Sequence, residues 1–536
     1  KASVSLPQQM KRFFTHLDLK WRLLGLLLLL SFLYAFWQHF FDPIQPIHEC
    51  RKADSLSQAL QFMRGGSLLQ PKTHAISNFG NQQAAAEFPL VYFVIGKLWS
   101  LFGYHLWMAK VFSLAYLLAA ILSFRNVLLW FFQSEKLVLI FSGVILSSPV
   151  LIYYADTLLP NVFSFASLLL AGSFFFRFTQ TQKITDGLVF TLFLAIAVLI
   201  KITALVAVLS FVGAFFFYAL HAAHRIYWRD RRTWFALISL LLSFLLTFWW
   251  YRYAISYNAK YHSTIFSTTI RPIWEVDVAE RWRIIQLLCE EHLKEIMQPI
   301  LLLILLLLGL YLSIKSKHAL FLRYWLPIAL IGLSAYFILW FWVFEVHDYY
   351  FIEALFFPLT LVAFVFKHLD QIFFNLRWRN YILGVGLAFI FLNTVSFTQV
   401  AAGNQNIVVK NTFLTSKLVR GNWGWFYFNH QEGLQQIQDQ RAAIQQIIAP
   451  TDTVFCFSDP YPNVHLSTID RIGFSGYGYR SYVSNAYLIR SWINMGASRL
   501  LLLQADTANP DIKPYLSNCL YHQNKVMIFD LRPFRD

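Results

Sequence analysis

The chain runs to 536 residues, 57% of them hydrophobic and only 13% charged, with a formal net charge of +16. An ordinary soluble protein carries about 25% charged residues, so this composition excludes a conventional water-soluble globule and requires lipid as a second apolar solvent. The basic excess does not indicate a nucleic-acid partner, because the Lys and Arg residues sit in short connections between apolar runs, where membrane topology places them.

Read in chain order, apolar runs cover 21–41, 105–127, 137–155, 160–176, 187–200, 202–220, 234–253, 299–314, 322–344, 349–366 and 381–399. A spanning helix needs about 20 residues, with a lower limit near 17, so several of these runs sit at the limit. A cleaved signal peptide is the rival reading of the first run, but its exit, Phe40-Phe41-Asp42-Pro43, does not resemble a small-residue cleavage site, so a span is expected. Basic clusters fall at Lys11/Arg12/Lys20/Arg22, Arg125/Lys136, Arg177/Lys183, Arg225/Arg229/Arg231/Arg232, Lys315/Lys317/Arg323 and Lys367/Arg377/Arg379. Between them lie connections poor in Lys and Arg: 155–160, the Lys201 junction and 344–349. The alternation predicts a cytoplasmic N-terminus and a C-terminal domain on the outer side. The apolar stretch 88–102 is short for a crossing and contains Lys97, so it is read as a helix lying at the membrane interface or partly embedded.

Three segments are long enough to do more than connect. The first external loop, 42–87, contains a helical spacing at Ala53, Leu56, Leu60 and Met63. The second is the charged stretch 254–298. The third is the tail from 401, with helices expected at 431–448 and 485–494 and strands at 453–457, 499–503 and 526–531. Strands alternating with helices predict a small α/β domain. Its Gly473-Phe-Ser-Gly-Tyr-Gly478 has neither the spacing nor the strand–helix setting of a phosphate loop. The predicted fold is an α-helical polytopic membrane protein of about eleven spans, residues 1–400, followed by a soluble α/β domain, residues 401–536. Cys50, Cys289, Cys456 and Cys519 show no CxxC or zinc spacing.

The topology gathers ionisable residues at the outer ends of the helices: His48, Glu49, Arg51, Asp54 and Glu87 from the first loop, then Asp156 and Lys201. Tyr257, Lys260 and His262 follow, and then Glu345, His347, Asp348 and Tyr349. Charges at membrane edges are costly unless they pair or act, so each is a site candidate. Each also has a structural reading: Asp156 and Lys201 as solvated loop ends, and Glu49 as an acid complementing a helix start. Glu345, His347 and Asp348 offer donors for a divalent metal, although no second ligand set is fixed by spacing; no tightly bound cofactor is expected. Group transfer from a phosphate would use a carboxylate base with a modestly raised pKa and cations to hold the departing phosphate. Arg51, Lys201 and Lys260 are the candidate cations, Arg being able to clamp phosphate through two N–H groups.

The layout resembles the GT-C superfamily of membrane glycosyltransferases, in the branch of the protein O-mannosyltransferases and lipid A aminoarabinose transferases (families 39 and 83). The residues that carry the resemblance are His48-Glu49-Cys50-Arg51 followed by Asp54, Glu87-Phe88-Pro89-Leu90, Leu101-Phe102-Gly103, Ser148-Pro149 through Asp156, and His347-Asp348-Tyr349-Tyr350 ahead of Pro358. The resemblance covers roughly residues 20–400. It implies a polyprenyl-phosphate sugar as donor, inverting transfer, and an active site on the outer face with an acid of the first loop as base. It also implies a bacterial inner membrane and a lipid, glycan or protein acceptor. Glu49 is the expected base, with Asp156 and His48 beside it. Arg51, Lys201 and Lys260 are expected at the phosphate. Asp54, Glu87, His262, Glu345, His347, Asp348 and Tyr349 are expected around sugar and acceptor. Many members carry two acids where this chain has His48-Glu49, a departure that bears on the base. A flippase of lipid-linked sugars would instead show inverted repeats and broken helices near the midplane, and a non-catalytic assembly subunit would keep the scaffold without the base.

Overall fold

The structure, a computed structural model, describes residues 18–34, 36–41, 48–220, 230–266, 270–316, 319–368, 376–401, 431–477 and 486–536. Expectations that fall on 42–47, on Arg225 and Arg229, on Lys317, on the start of the tail at 402–430, and on Gly478 and Asn485 lie outside the described residues.

Six described helices are long and apolar enough to cross a membrane: Leu106–Phe132, Pro160–Thr181, Ile202–Leu220, Arg231–Lys260, Leu320–Leu339 and Asn380–Thr398. Two bent pairs raise the count to eight if each is one span: Val278–Ile296 with Pro299–Lys315, bent by 82°, and Asp348–Ala354 with Phe356–Lys367, bent by 41°. The chain is an integral membrane protein by this measure. The remaining runs of the sequence reading form helices shorter than a standard span: Leu19–Leu33 of 15 residues, Glu135–Leu146 of 12 and Ile184–Ile200 of 17.

Local chemistry explains the breaks. The run at 137–155 stops at Leu146, and Ser148, extended at ψ 124, precedes Pro149 at the first position of the Pro149–Tyr154 helix. A proline ring disfavours helical backbone in the residue before it and fits the first helical turn, where its missing N–H is not needed. The 82° bend has the same cause: Met297 is extended, the Gln298 side chain accepts from the Ile300 N–H, and Pro299 opens the next helix. Side-chain oxygens of Ser134 and Asp230 likewise accept from free N–H groups at the starts of Glu135–Leu146 and Arg231–Lys260.

Two further helices, one amphipathic and one short and apolar, complete one end of the bundle. Glu49–Met63, expected from its spacing, buries Ala53, Leu56 and Leu60. It packs on Leu90–Phe102, whose 13 residues make a helix about 20 Å long, short of the roughly 30 Å of a hydrocarbon core. Gly96 sets that contact: a Cβ there would lie 2.5 Å from the Ala59 carbonyl oxygen, so the two backbones touch only because the residue has no side chain.

The tail forms a five-stranded mixed sheet in the order β2-β1-β3-β5-β4, with β1 Thr453–Cys456, β2 Gly473–Ser475, β3 Ala497–Leu503, β4 Cys519–Gln523 and β5 Val526–Asp530. β1 runs parallel to β2 and β3, while β5 is antiparallel to β3 and β4. The expected strands at 453–457, 499–503 and 526–531 are present, as are helices Gln431–Asp439, Arg441–Ile447 and Ala486–Asn494. The three-residue strand β2 and the largely exposed β4 were not expected. The first loop adds to the edge of this sheet: the Gly473 N–H donates to the His74 carbonyl at 3.0 Å, and the Ile76 N–H donates to the Gly473 carbonyl at 2.7 Å.

Candidate functional site

The site is built around the Glu49–Met63 helix, which lies between one end of the long helices and the C-terminal sheet. His48, left-handed at φ 54, turns the chain into it. His48 Nε2 lies 3.0 Å from Asp348 Oδ1, and Asp348 also accepts from the Tyr154 hydroxyl. The edge of the His48 ring meets Tyr349, with centroids 4.9 Å apart, and the His347 ring lies 5.3 Å away. First loop, third connection and late connection therefore converge on one histidine. Burial and the neighbouring His48 pull His347 down to about 3, so it stays neutral.

Glu49 is 2% exposed. Burial pushes its carboxyl up to about 7, and the Lys52 ammonium, one turn on, acts in the opposite direction. Burial likewise pulls Lys52 down to about 8, with Asp156 the strongest of the carboxylates opposing it. Lys52 lies over the Tyr153 ring at 4.8 Å, with Nζ 3.5 Å from the Tyr153 hydroxyl. Arg51 pairs with Glu87, which also accepts from the Tyr92 hydroxyl. Burial raises the Glu87 carboxyl, but Arg51, Lys201 and Tyr92 together hold it below the usual carboxylate range. The Lys201 ammonium sits 4.1 Å from the centre of the Tyr350 ring and 5.7 Å from that of Tyr349. Asp54 accepts from the Asn463 side chain of the C-terminal domain at 2.7 Å. Burial pushes Asp54 up to about 7 against Arg51 and that hydrogen bond.

The structure thus brings together His48, Glu49, Arg51, Asp54, Glu87, Asp156, Lys201, His347, Asp348 and Tyr349. Other expected residues make their contacts elsewhere. Glu345 pairs with Arg283 at 2.5 Å. Lys260 is exposed over Tyr261 at 5.2 Å, and His262 packs on Phe79 with ring centroids 5.1 Å apart. Among the described residues no group of three His, Cys, Asp or Glu side chains is arranged to hold a metal ion.

Several members of the site were not singled out from sequence. Lys52 read as part of a helical spacing, and only its burial marks it. Tyr92, Tyr153 and Tyr154 were lost among the aromatic excess. Glu353, buried and hydrogen-bonded by the Asn161 amide at 2.8 and 3.1 Å, lies inside an apolar run, where a lone acid is the available signal. Asn463 sits in a loop of the tail and is linked to the site only by the fold.

The arrangement can perform proton transfer and anion binding side by side. A carboxyl near 7 can take a proton at neutral pH, and Arg51, Lys52 and Lys201 supply positive charge in a largely buried setting, where it acts strongly.

No protein-family model matches the chain, and no curated protein matches it. Solved structures do. The crystal structure of ArnT from Cupriavidus metallidurans in the apo state matches with a TM-score of 0.57 at 11% identity, covering 96% of this chain and 98% of that one. The structure of the same protein bound to undecaprenyl phosphate matches with a TM-score of 0.56 at 12% identity, covering 95% and 98%. The likeness extends over both the helical part and the C-terminal sheet, and at this identity it concerns fold alone. The chain shares the fold of ArnT, a helical membrane part followed by a small mixed-sheet domain at the C-terminus.

Proposed function

We propose that the chain is an inverting glycosyltransferase that moves a sugar from a polyprenyl-phosphate carrier to an acceptor on the outer side of a bacterial inner membrane. In this reading the N-terminus is cytoplasmic and residues 401–536 form an outer domain. The observation that carries the proposal is the juxtaposition, on one short helix, of a buried carboxyl held near neutral pH, Glu49, with the cations Arg51 and Lys52, faced by Lys201 from another segment. The ArnT fold supports it, and the ArnT structure that holds undecaprenyl phosphate supports a polyprenyl-phosphate donor.

Glu49 accepts the proton of the acceptor hydroxyl. The acceptor oxygen attacks the anomeric carbon from the face opposite the phosphate, the bond from that carbon to the phosphate oxygen breaks, and its electron pair leaves on the polyprenyl phosphate. Arg51, Lys52 and Lys201 hold the developing charge, while Glu87 orients Arg51 through their ion pair. Asp348 fixes the orientation of His48 through the 3.0 Å contact, which leaves the other ring nitrogen of His48 for the sugar or acceptor. Asp54, Asp156, His347 and Tyr349 line the same pocket. Lys260, His262 and Glu345 take no part in this step, since their contacts lie with Tyr261, Phe79 and Arg283. The reaction balances without redox chemistry or a cofactor.

Turnover of a panel of short-chain polyprenyl-phosphate sugars by purified protein tests the proposal, with the anomeric configuration of the product read by NMR. Transfer with inversion is expected. Transfer with retention, or intact donors across the panel in the presence of a membrane-lipid and glycan acceptor mixture, contradicts it.

A further inference from the structure

The C-terminal domain is joined to the Glu49–Met63 helix through Asn463, Ser57 and His74, whose side chains are buried. Asn463 is 0% exposed and sits in the left-handed region at φ 74, a backbone conformation that Asn tolerates better than most residues. It follows β1 on the loop 457–463. Its Nδ2 donates to Asp54 at 2.7 Å, and its Oδ1 accepts from the Ala75 N–H at 2.8 Å. The Ser57 hydroxyl lies 3.1 Å from the same Oδ1 and 2.9 Å from His74 Nδ1, so its one proton serves either neighbour. His74 Nε2 meets Asp470 at 2.9 Å, and Arg64 pairs with the same carboxylate at 2.8 Å. A single amide thus touches the helix at two positions, one of them an acid of the site, and the extended strand of the first loop as well.

The same loop reaches the other end of the helix. Asp459 is fully buried, its Oδ1 accepts from the His465 N–H at 3.1 Å, and its Oδ2 has no hydrogen-bond partner among the described residues. Its carboxyl lies within electrostatic reach of Glu49, as does the Tyr461 hydroxyl. Asn463 lies four residues beyond Asp459, and Asp54 lies five beyond Glu49, so loop and helix run alongside each other across the two domains.

We propose that the catalytic centre is composite: Asn463, on the C-terminal domain, is a positioning residue that sets the place of Asp54 and, through the Glu49–Met63 helix, of Glu49. Asp54 is half-buried, and a carboxylate partly withdrawn from water that loses its donor is costly, so the helix holds its position only while the 457–463 loop is docked. The domain is then part of the site rather than an appended module. This inference rests on the proposed transferase reaction for its kinetic consequence but not for its structural one.

Amide hydrogen exchange and turnover of the full chain in nanodiscs test it with Asn463→Asp and with the swap Asp54→Asn/Asn463→Asp. The single variant sets two carboxylates against each other. The swap restores one donor facing one acceptor, and it keeps the acceptor for Ala75 and Ser57. We expect Asn463→Asp to speed exchange in residues 49–63 by about 10-fold or more and to lower kcat by about 100-fold, with the donor KM within about 3-fold. The swap should return exchange to the wild-type rate, while kcat stays low because the Asp54 carboxylate has moved. Wild-type exchange and kcat in Asn463→Asp overturn the inference, as does a swap that leaves the helix unprotected. If wild-type protein turns over no donor, the transferase reading fails, and the exchange measurements alone still decide whether Asn463 positions the helix.

Discussion

The two ends of the helical bundle use the same residue types in opposite settings. At the site end, Arg51 and Glu87 pair with side chains only 13% and 8% exposed, and His48 and Asp348 with 10% each. At the other end, Arg22 pairs with Glu135 at 22% and 51% exposure, and Arg177 with Asp186 at 53% and 6%. Open pairs of this kind contribute about 0–1 kcal/mol each. They are the residue of a charge distribution that serves topology. The closed pairs join segments far apart in sequence, and each has a cost of burial that must be met by its partner. Basic residues near a membrane therefore divide by what faces them rather than by count.

The comparison breaks first at Arg51. Arg51→Ala removes a cation proposed to hold phosphate and strands Glu87, and kcat/KM for a polyprenyl-phosphate sugar should fall about 10²–10³-fold. Arg22→Ala, measured in parallel, should stay within about 2-fold, because an exposed pair of this kind is worth little. Equal losses would erase the distinction between the ends.

A smaller but sharper effect is expected with pH. Glu49 must be deprotonated to act as base, so activity rises as pH passes about 7. Lys52 must keep its proton to hold phosphate, so activity falls as pH passes about 8. The profile of kcat/KM should be a narrow bell, with Asp54, also near 7, steepening the acid limb. In Lys52→Arg the alkaline limb should move upward, since a guanidinium keeps its charge. A flat profile between pH 6 and 9 would remove Glu49 and Lys52 from these roles.

Packing gives the next effect. Gly96→Val forces a side chain against the Ala59 carbonyl, which already lies 2.5 Å from an ideal Cβ. Overpacking of this kind costs about 1–3 kcal/mol and should lower both thermal stability and turnover. Gly384, with nothing within 4 Å of its Cβ, is the control. The smallest effect belongs to the opposite end: Arg177→Ala should change stability by about 0.5 kcal/mol or less in a thermal shift.

Much of this was legible in the sequence. Ala53, Leu56 and Leu60 announced the first-loop helix, and all three are buried. The long runs announced the six long helices, and alternation of strand and helix announced the mixed sheet. Hydropathy does not register a broken helix: Pro149 interrupts the run 137–155, which is apolar on both sides of it, while Pro299 opens the run that begins there. It missed β2 because three residues carry no alternation, and Gly473 is there for closeness: an added Cβ would lie 1.8 Å from the Val454 carbonyl oxygen. It missed Asn463, His74 and Asp470 because each is an ordinary loop residue locally, and their roles arise from contacts between the tail and the first loop.

Sugar transfer by Glu49→Gln is the most direct test of the central claim. The substitution keeps the size of the side chain and removes the proton acceptor, while the Arg51–Glu87 pair and the Asn463–Asp54 contact stay in place. The account predicts a kcat lower by about 10²–10⁴-fold with donor binding retained. Wild-type turnover by Glu49→Gln would contradict it and remove the base from this helix position.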